Sequence, residues 1–377
     1  MLTILLTLKD RAPFTRRWMS YAESVRFPFK VLIADGGADE SVPKLLSDKG
    51  SFPNVDYEYI RYPQDRSYAD YYAKITDALA RVRTPFVAMA DNDDLYVVSG
   101  LKKAVDFLAD HPEYASCGGQ SALFWVGSRR SDDPQRLLYS PKLDWKCTRA
   151  ARPITGETAA QRIKSLSLNT PDYYDVRRTE TARLHFQIQK DLDPKDIFLA
   201  EFLISFLNLI AGKANSLDAL YLARQHDPPE SCGAAHEEKF GNWFGRMLIP
   251  SWSEDFRKFA DALSAQLAEA DRISNAEARG HVVAAYRMAV APSLLQDIVV
   301  EPTVTMPISL ATTMAQRFML LPQNNAIRRM AQRLFRMNRW ISLHAVGGTE
   351  FLSKKVSNAG GEIEPISRFL AAEAPRC

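Results

Sequence analysis

The sequence predicts an α/β fold: a mostly parallel sheet flanked by helices, followed by a helical C-terminal region. Three observations predict it. Over the first hundred residues short apolar runs alternate with longer amphipathic ones, the rhythm of strands interleaved with helices. Thr84–Ala90 is an unbroken apolar run of the kind found in strands buried on both faces. Beyond residue 240 helical spacing takes over, as in Phe256, Phe259, Leu263 and Leu267.

Leu2–Leu8 is the first strand. Phe14–Val25 follows as a helix with Trp18, Tyr21, Ala22 and Val25 on one side, and Pro28 resets the chain before strand two, Phe29–Ala34. Ser41–Leu46 is a short helix and Val55–Arg61 alternates as strand three. Tyr68, Tyr71, Ile75, Leu79 and Val82 share one face of the next helix. After Thr84–Ala90 come a helix over 100–112 and a strand over Tyr114–Val126. Residues 127–170 read as long loops with one helix near Ala159–Leu166. Tyr173–Arg177 is a strand, Glu180–Gln189 a helix, Ile197–Gly212 a strongly apolar helix, and Ala214–Ala223 a strand leading to Arg224, Gln225 and His226. The expected division is 1–240, with halves 1–115 and 116–240, and a helical region over 241–377.

Composition narrows the function classes. The chain has 377 residues, 46% of them apolar, enough for two or three folded units at about 150 residues each. Its 48 basic and 45 acidic residues leave a charge of +3, which argues against a protein that coats nucleic acid. Cys117, Cys147, Cys232 and Cys377 are too scattered for a zinc ribbon or a disulfide framework. The N-terminus reads as a strand rather than a leader, and no run approaches the roughly 18 apolar residues of a spanning helix. The expected setting is the cytoplasm, free or on the inner face of the cell membrane.

Each strand of the first half ends in polar residues: Lys9, Asp10 and Arg11, then Asp35, Gly36 and Gly37, then Asp91, Asn92, Asp93 and Asp94. In an open parallel sheet the carboxyl ends of the strands form the ligand crevice, so these clusters converge on one edge. Asp91, Asp93 and Asp94 repel one another unless a cation sits among them. A hard ion such as magnesium or manganese, taking one or two carboxylates plus phosphate oxygens, supplies that cation. An isolated Asp-x-Asp also fits a solvated turn, but this one follows a buried strand and shares an edge with Asp35.

On these residues the chain resembles the Rossmann-like GT-A glycosyltransferases, especially the large inverting family 2. The resemblance rests on Thr7–Arg11, Ile33–Gly37, Asp91–Asp94, Ala200–Glu201 opening a helix that closes at Gly212, and a strand reaching His226. It covers about residues 1–230. It implies a nucleotide-sugar donor held by Thr7, Leu8 and Asp35, and a divalent cation on Asp93, Asp91 and His226, with Asp94 in support. It also implies Glu201 as general base. The chain departs from the family at Ala34, where members often carry a second acid, and at Phe202, where a Glu-Asp pair is usual. Asp193 and Asp196 are the fallback acids.

The chemistry fits these types. Leaving of a nucleoside diphosphate builds negative charge, which cations stabilise where it develops. Arg11, Arg66, Lys74 and Arg224 are candidate cations and Asn92 a further donor contact. The incoming hydroxyl needs a carboxylate to take its proton. Tyr173, Tyr174, Trp125 and Trp145 are candidate acceptor-sugar aromatics. Pro302–Thr349 carries six arginines and no acid, which leaves the rest of the chain at −3. A helix over 326–341 would gather Arg328, Arg329, Arg333, Arg336 and Arg339 opposite an apolar face, the pattern of a helix lying on anionic lipid. The acceptor expected is a saccharide or a glycolipid in surface polysaccharide assembly. Two alternatives stay open: a nucleotidyltransferase, although Leu8–Pro13 lacks the glycines its phosphate loop favours, and a non-catalytic relative that docks on membranes.

Overall fold

The computed structural model describes residues 1–124, 145–149, 153–166, 173–225, 236, 239, 241, 243–300 and 361–372. Trp125, His226 and the arginine-rich helix over 326–341 lie outside them. In chain order the elements are β1 (Leu2–Leu8), α1 (Ala12–Ser24), β2 (Lys30–Asp35), α2 (Ser41–Ser47), β3 (Tyr57–Arg61), α3 (Tyr68–Arg81) and β4 (Phe86–Ala90). Then come β5 (Leu95–Tyr96), α4 (Val98–Asp110), β6 (Tyr114–Phe124), β7 (Trp145–Arg149), α5 (Ala159–Lys164), β8 (Val176–Arg178), α6 (Thr179–Leu192), α7 (Ile197–Ala211) and β9 (Lys213–Gln225). The described C-terminal part is helical: α8 (Trp243–Met247), α9 (Pro250–Asp271), α10 (Asn275–Val300) and α11 (Ile363–Ala372).

The nine strands among the described residues form one sheet, ordered β3-β2-β1-β4-β8-β6-β9-β5, with β7 on β6. The α/β architecture is as expected, but the sheet is mixed. It is parallel from β3 to β4, and again between β6 and β9. The short β8 runs antiparallel to both β4 and β6 and joins the two parallel parts. β5 and β7 escaped the sequence pattern; β5 is two residues long, and β7 lies in a polar stretch without alternation. The strand expected over Tyr173–Arg177 starts only at Val176. Tyr173 and Tyr174 turn instead, and the Tyr174 carbonyl accepts from the hydroxyls of Tyr96 (2.7 Å) and Tyr221 (2.8 Å).

Local signals explain the helix starts. Ser67 and Asp70 close a reciprocal capping box on α3. Asp196 caps α7 by accepting from the Leu199 amide at 3.0 Å. Pro13 stands in the first turn of α1, where its missing amide costs nothing.

On one face of the sheet α1, α4 and α11 pack in a single core with β1, β2 and β4. On the other, α3 and α6 cover Leu5, Leu32, Val87 and Met89. A third cluster joins α5 and α7 to α9 and α10. The helices past residue 240 therefore share their cores with the sheet's own helices, and the division expected there does not separate two cores. Among the described residues no helix is long and apolar enough to cross a membrane.

Candidate active site

The register of the parallel strands brings the predicted clusters together. Leu8 lies opposite Asp35 on β2, and Leu6 lies opposite Ala90 on β4, so the three strand ends share one edge. The acidic turn leaves β4 there. β5 then pairs Leu95 with Ala223 of β9, which sets Arg224 and Gln225 beside the turn.

Each acid of the turn has a different environment. Asp91 accepts from the Thr7 hydroxyl at 3.3 Å and from the Tyr174 hydroxyl at 2.5 Å. Asp94 is held by Arg224 Nε at 3.0 Å and by the Gln225 amide at 3.1 Å. Asp93 meets Arg11 Nη2 at 3.2 Å, while its own carbonyl accepts from Arg17 Nη2 at 2.9 Å. Burial, then the charge of Asp93, raises the Asp91 carboxyl above the usual range. Burial lifts Asp94 to about 7, with Arg224 pulling down and Asp93 and Asp91 pushing up.

Glu201 stands on α7, whose fifteen residues Ile197–Ala211 hold no other charge. Within that helix only Glu201 and the terminal Ala211 are exposed. The carboxylate is open to water yet closely surrounded by protein, as on the wall of a crevice. That crowding raises it to about 7; Arg224 lowers it, and Asp91 and Asp196 raise it further. Asp91 and Arg224 thus tie it electrostatically to the acidic turn. It sits in the second turn of α7, beyond the first-turn position that a purely capping acid prefers.

Other predicted residues are committed to structure. Asp35 is fully buried and accepts from the Gly37 amide (2.8 Å), Tyr59 (2.8 Å) and Arg61 (2.7 Å), so its carboxylate stabilises the β2–α2 turn. Asn92 points away from the crevice and bonds Thr15 of α1 at 3.1 Å. Lys74 is buried on Asp65 and donates to the Leu8 carbonyl at 2.8 Å, which also accepts from the Gly36 amide at 3.0 Å. Arg66 is exposed at the start of α3, its amide on Asp70. Tyr173 is buried among Phe186, Tyr71 and Tyr174 in the core under α6. Tyr174 faces the site, but as a partner of Asp91, with Arg224 4.8 Å from its ring centroid.

Sequence reasoning missed Arg17, Asp65, and His236 and Arg246, the partners of the fallback acid Asp196. Arg17 is buried and joins the acidic turn to Gln225 Oε1 at 2.7 Å. Its signal was its place on the helical face of Phe14 and Tyr21, three and four residues away. Asp65 is the buried partner of Lys74 and packs over Gly36, where a Cβ would lie 2.3 Å from its carboxylate. Beneath Glu201, Asp196 meets His236 Nε2 at 3.4 Å and Arg246 at 3.9 Å, while His236 Nδ1 lies 3.0 Å from the Tyr68 hydroxyl. Burial opposes ionisation of Asp196, but the bonds from His236 and the Leu199 amide and the charge of Arg246 hold it below the usual range.

Among the described residues no group of three or more His, Cys, Asp or Glu converges on one point. Asp93 and Asp91 nevertheless fit a hard cation. Magnesium-type ions use one or two carboxylates and complete their shell with phosphate oxygens and water, and the charge of Asp93 already strains the ionised form of Asp91.

No family model matches the chain. Its sequence is similar to the uncharacterized proteins Rv1520 of Mycobacterium tuberculosis and Mb1547 of Mycobacterium bovis. Each is 21% identical over 157 residues, which are 41% of this chain and 42% of the relative. The match thus spans about two-fifths of those proteins. Among solved structures, Staphylococcus aureus TarS 1-349 is similar over 98% of this chain and 90% of its own, with 12% identity and a TM-score of 0.46. The mannosyltransferase PcManGT of Pyrobaculum calidifontis, solved with GDP-Man and Mn2+, is similar over 92% and 86%, with 13% identity and a TM-score of 0.43. These are resemblances of outline.

Proposed function

We propose that this protein is an inverting glycosyltransferase that moves a sugar from a nucleotide-sugar donor to a saccharide or lipid-linked saccharide. The observation that carries the reading is Glu201: a lone acid on an apolar helix, open to water, raised to about 7, and coupled to the acidic turn at the strand ends. A carboxylate of that acidity is matched to accepting a proton near neutral pH.

In this reading Thr7, Asp91 and Asp93 face the donor's sugar and diphosphate. Glu201 takes the proton of the acceptor hydroxyl as its oxygen attacks the anomeric carbon. The bond from that carbon to the diphosphate oxygen breaks, and the nucleoside diphosphate leaves with the electron pair. Attack opposite the leaving group inverts the anomeric centre. Arg11 and Arg224, the cations already at the turn, stabilise the charge that develops on the leaving group. Asp93 and Asp91 would hold a magnesium or manganese ion, which supplies Lewis-acid stabilisation of the same charge when bound. Asp35, Lys74 and Asp65 support the floor beneath the donor.

The test is a panel of nucleotide-sugars with Mn2+, read by thermal shift and by release of nucleoside diphosphate. At least one donor should raise Tm, because it binds only the folded state, and Asp93→Ala should abolish both signals. A folded protein that neither binds nor hydrolyses any donor refutes the reading, and release of pyrophosphate from a nucleoside triphosphate would replace it with nucleotidyl transfer.

A further inference from the structure

Resting on that donor site, we infer that Arg11 is a counter-cation to Asp93: it pairs with that carboxylate, releases it when a divalent cation binds there, and then engages the donor's diphosphate.

Three arginines touch the acidic turn, and they are not equivalent. Arg224 shares Asp94 with the Gln225 amide, so both oxygens of that carboxylate are taken. Arg17 binds the main chain of Asp93 and the side chain of Gln225, which makes it part of the framework. Asp91 has a hydroxyl on each oxygen. Asp93 is held least: one 3.2 Å bond from Arg11 Nη2 reaches Oδ2, and Oδ1 accepts from no described residue. An incoming cation displaces the fewest interactions there.

Arg11 is as lightly held as its partner. Its other contact is the Phe14 ring, whose centroid lies 4.0 Å from the guanidinium carbon. Its Nε is buried with no hydrogen-bond partner among the described residues. A guanidinium carries five donors in a rigid fork suited to phosphate oxygens, and most of that capacity is unused here. Two cations cannot share one carboxylate oxygen without repulsion, so binding at Asp93 favours an arginine that has moved to another anion.

The backbone aims Arg11 at this position. Asp10 and Arg11 are both left-handed, with φ of 58° and 61°, a conformation that non-glycine residues hold only where the surroundings enforce it. The β2–α2 loop enforces it: Asp10 Oδ1 accepts from the amides of Ala38 (2.6 Å) and Asp39 (2.8 Å). Gly37 lets the Asp10 amide approach to where a Cβ would be 2.3 Å away.

The experiment measures Mn2+ binding by electron paramagnetic resonance without nucleotide, and binding of UDP and GDP with saturating Mn2+, in the wild type, Arg11→Ala, Arg11→Lys and Asp93→Asn. Removing a positive charge in contact with the ligand carboxylate should tighten Mn2+ binding of Arg11→Ala on the order of tenfold. Its nucleoside diphosphate affinity should fall by a similar factor, with Arg11→Lys between the two and Asp93→Asn weak in both assays. A purely structural arginine would weaken both ligands together, so the opposite signs are the diagnostic. Mn2+ affinity of Arg11→Ala that is unchanged or reduced, or unchanged nucleotide affinity, overturns the inference; if the wild type still binds nucleoside diphosphate, the functional reading survives. A wild type that binds neither UDP nor GDP overturns this inference, and the functional reading falls with it only if no other nucleoside diphosphate of the donor panel binds either.

Discussion

Glu201→Gln is the sharpest perturbation of the proposed chemistry, because it keeps the shape of the side chain and removes only its capacity to take a proton. A positioned general base contributes about 10²- to 10⁴-fold, equivalent to about 3–5 kcal/mol of barrier at 1.36 kcal/mol per decade. The pH dependence gives an independent check. With the carboxyl at about 7, the deprotonated fraction rises with pH, and the rate should rise about tenfold between pH 6 and pH 8. Neighbours set the midpoint in a signed way. Arg224 is the largest influence lowering this group and Asp91 the largest charge raising it. Arg224→Ala should therefore move the profile to higher pH, and Asp91→Asn to lower pH. The assay is nucleoside diphosphate release from the best donor, with water as acceptor, under donor-saturating conditions. A Glu201→Gln rate within about threefold of wild type, or a flat wild-type profile across pH 6–8, would refute the assignment of the base.

Two further predictions concern stability. Asp94 is raised from 3.8 to about 7, so the folded state retains a proton that the unfolded chain releases. Its stabilising contribution is complete below about 4 and lost as pH rises through about 7. Denaturant midpoints should fall over that window, and Asp94→Asn should flatten the slope whatever it does to absolute stability; an unchanged slope would contradict the assignment. Gly37→Ala places a Cβ 2.3 Å from the Asp10 amide and should destabilise by about 1–3 kcal/mol. Gly280→Ala, in α10 with nothing within 4 Å of the added carbon, should stabilise by about 0.5–1 kcal/mol. Urea unfolding of the pair reads both, and equal effects would show that the close approach at Gly37 is relieved without cost.

How much of this was legible follows from what each residue is used for. β1 and β4 were readable because strands covered on both faces need unbroken apolar runs, and the acidic turn because three clustered acids after such a strand repel one another unless a cation sits among them. Glu201 was named only through the resemblance, as the acid near the start of the apolar helix; that it is the one charge among Ile197–Ala211 is a property of the helix itself. Asp35 was named through the resemblance as a donor contact, and the groups that hold it in the structure, Tyr59 and Arg61, come from a strand 24 and 26 residues further on. Nothing local in the sequence announces that pairing. The same holds for Asn92, whose partner Thr15 is 77 residues away. β8 was misjudged because Tyr173 and Tyr174 have strand propensity but are held in a turn by hydroxyls from β5 and β9. Propensity yields there to tertiary hydrogen bonding.

The helices after residue 240 bear on the site more directly than their place in the chain suggests. Asp271, at the end of α9, accepts from the amides of Ala159 (2.7 Å) and Ala160 (2.8 Å) and so occupies the N-terminus of α5. Asp255 of the same helix accepts from the Lys195 amide at 2.7 Å, one residue before the cap of α7. Phe259 and Tyr286 then pack on Phe206 and Phe202 along the buried side of α7. α7 is thus fixed at its start by carboxylate contacts and along its length by aromatic packing, and Glu201 lies between these restraints. A general base must be placed to within a fraction of an ångström of its proton. For the proposed base Glu201 that rigidity comes from α9 and α10 as well as from the sheet, where Asn208 of α7 donates to Ser116 Oγ of β6 at 2.8 Å and Ile204 packs with Leu5 and Val87. This explains why the apolar side of α7 is shared with the C-terminal helices, while its one charged residue is left facing the strand ends.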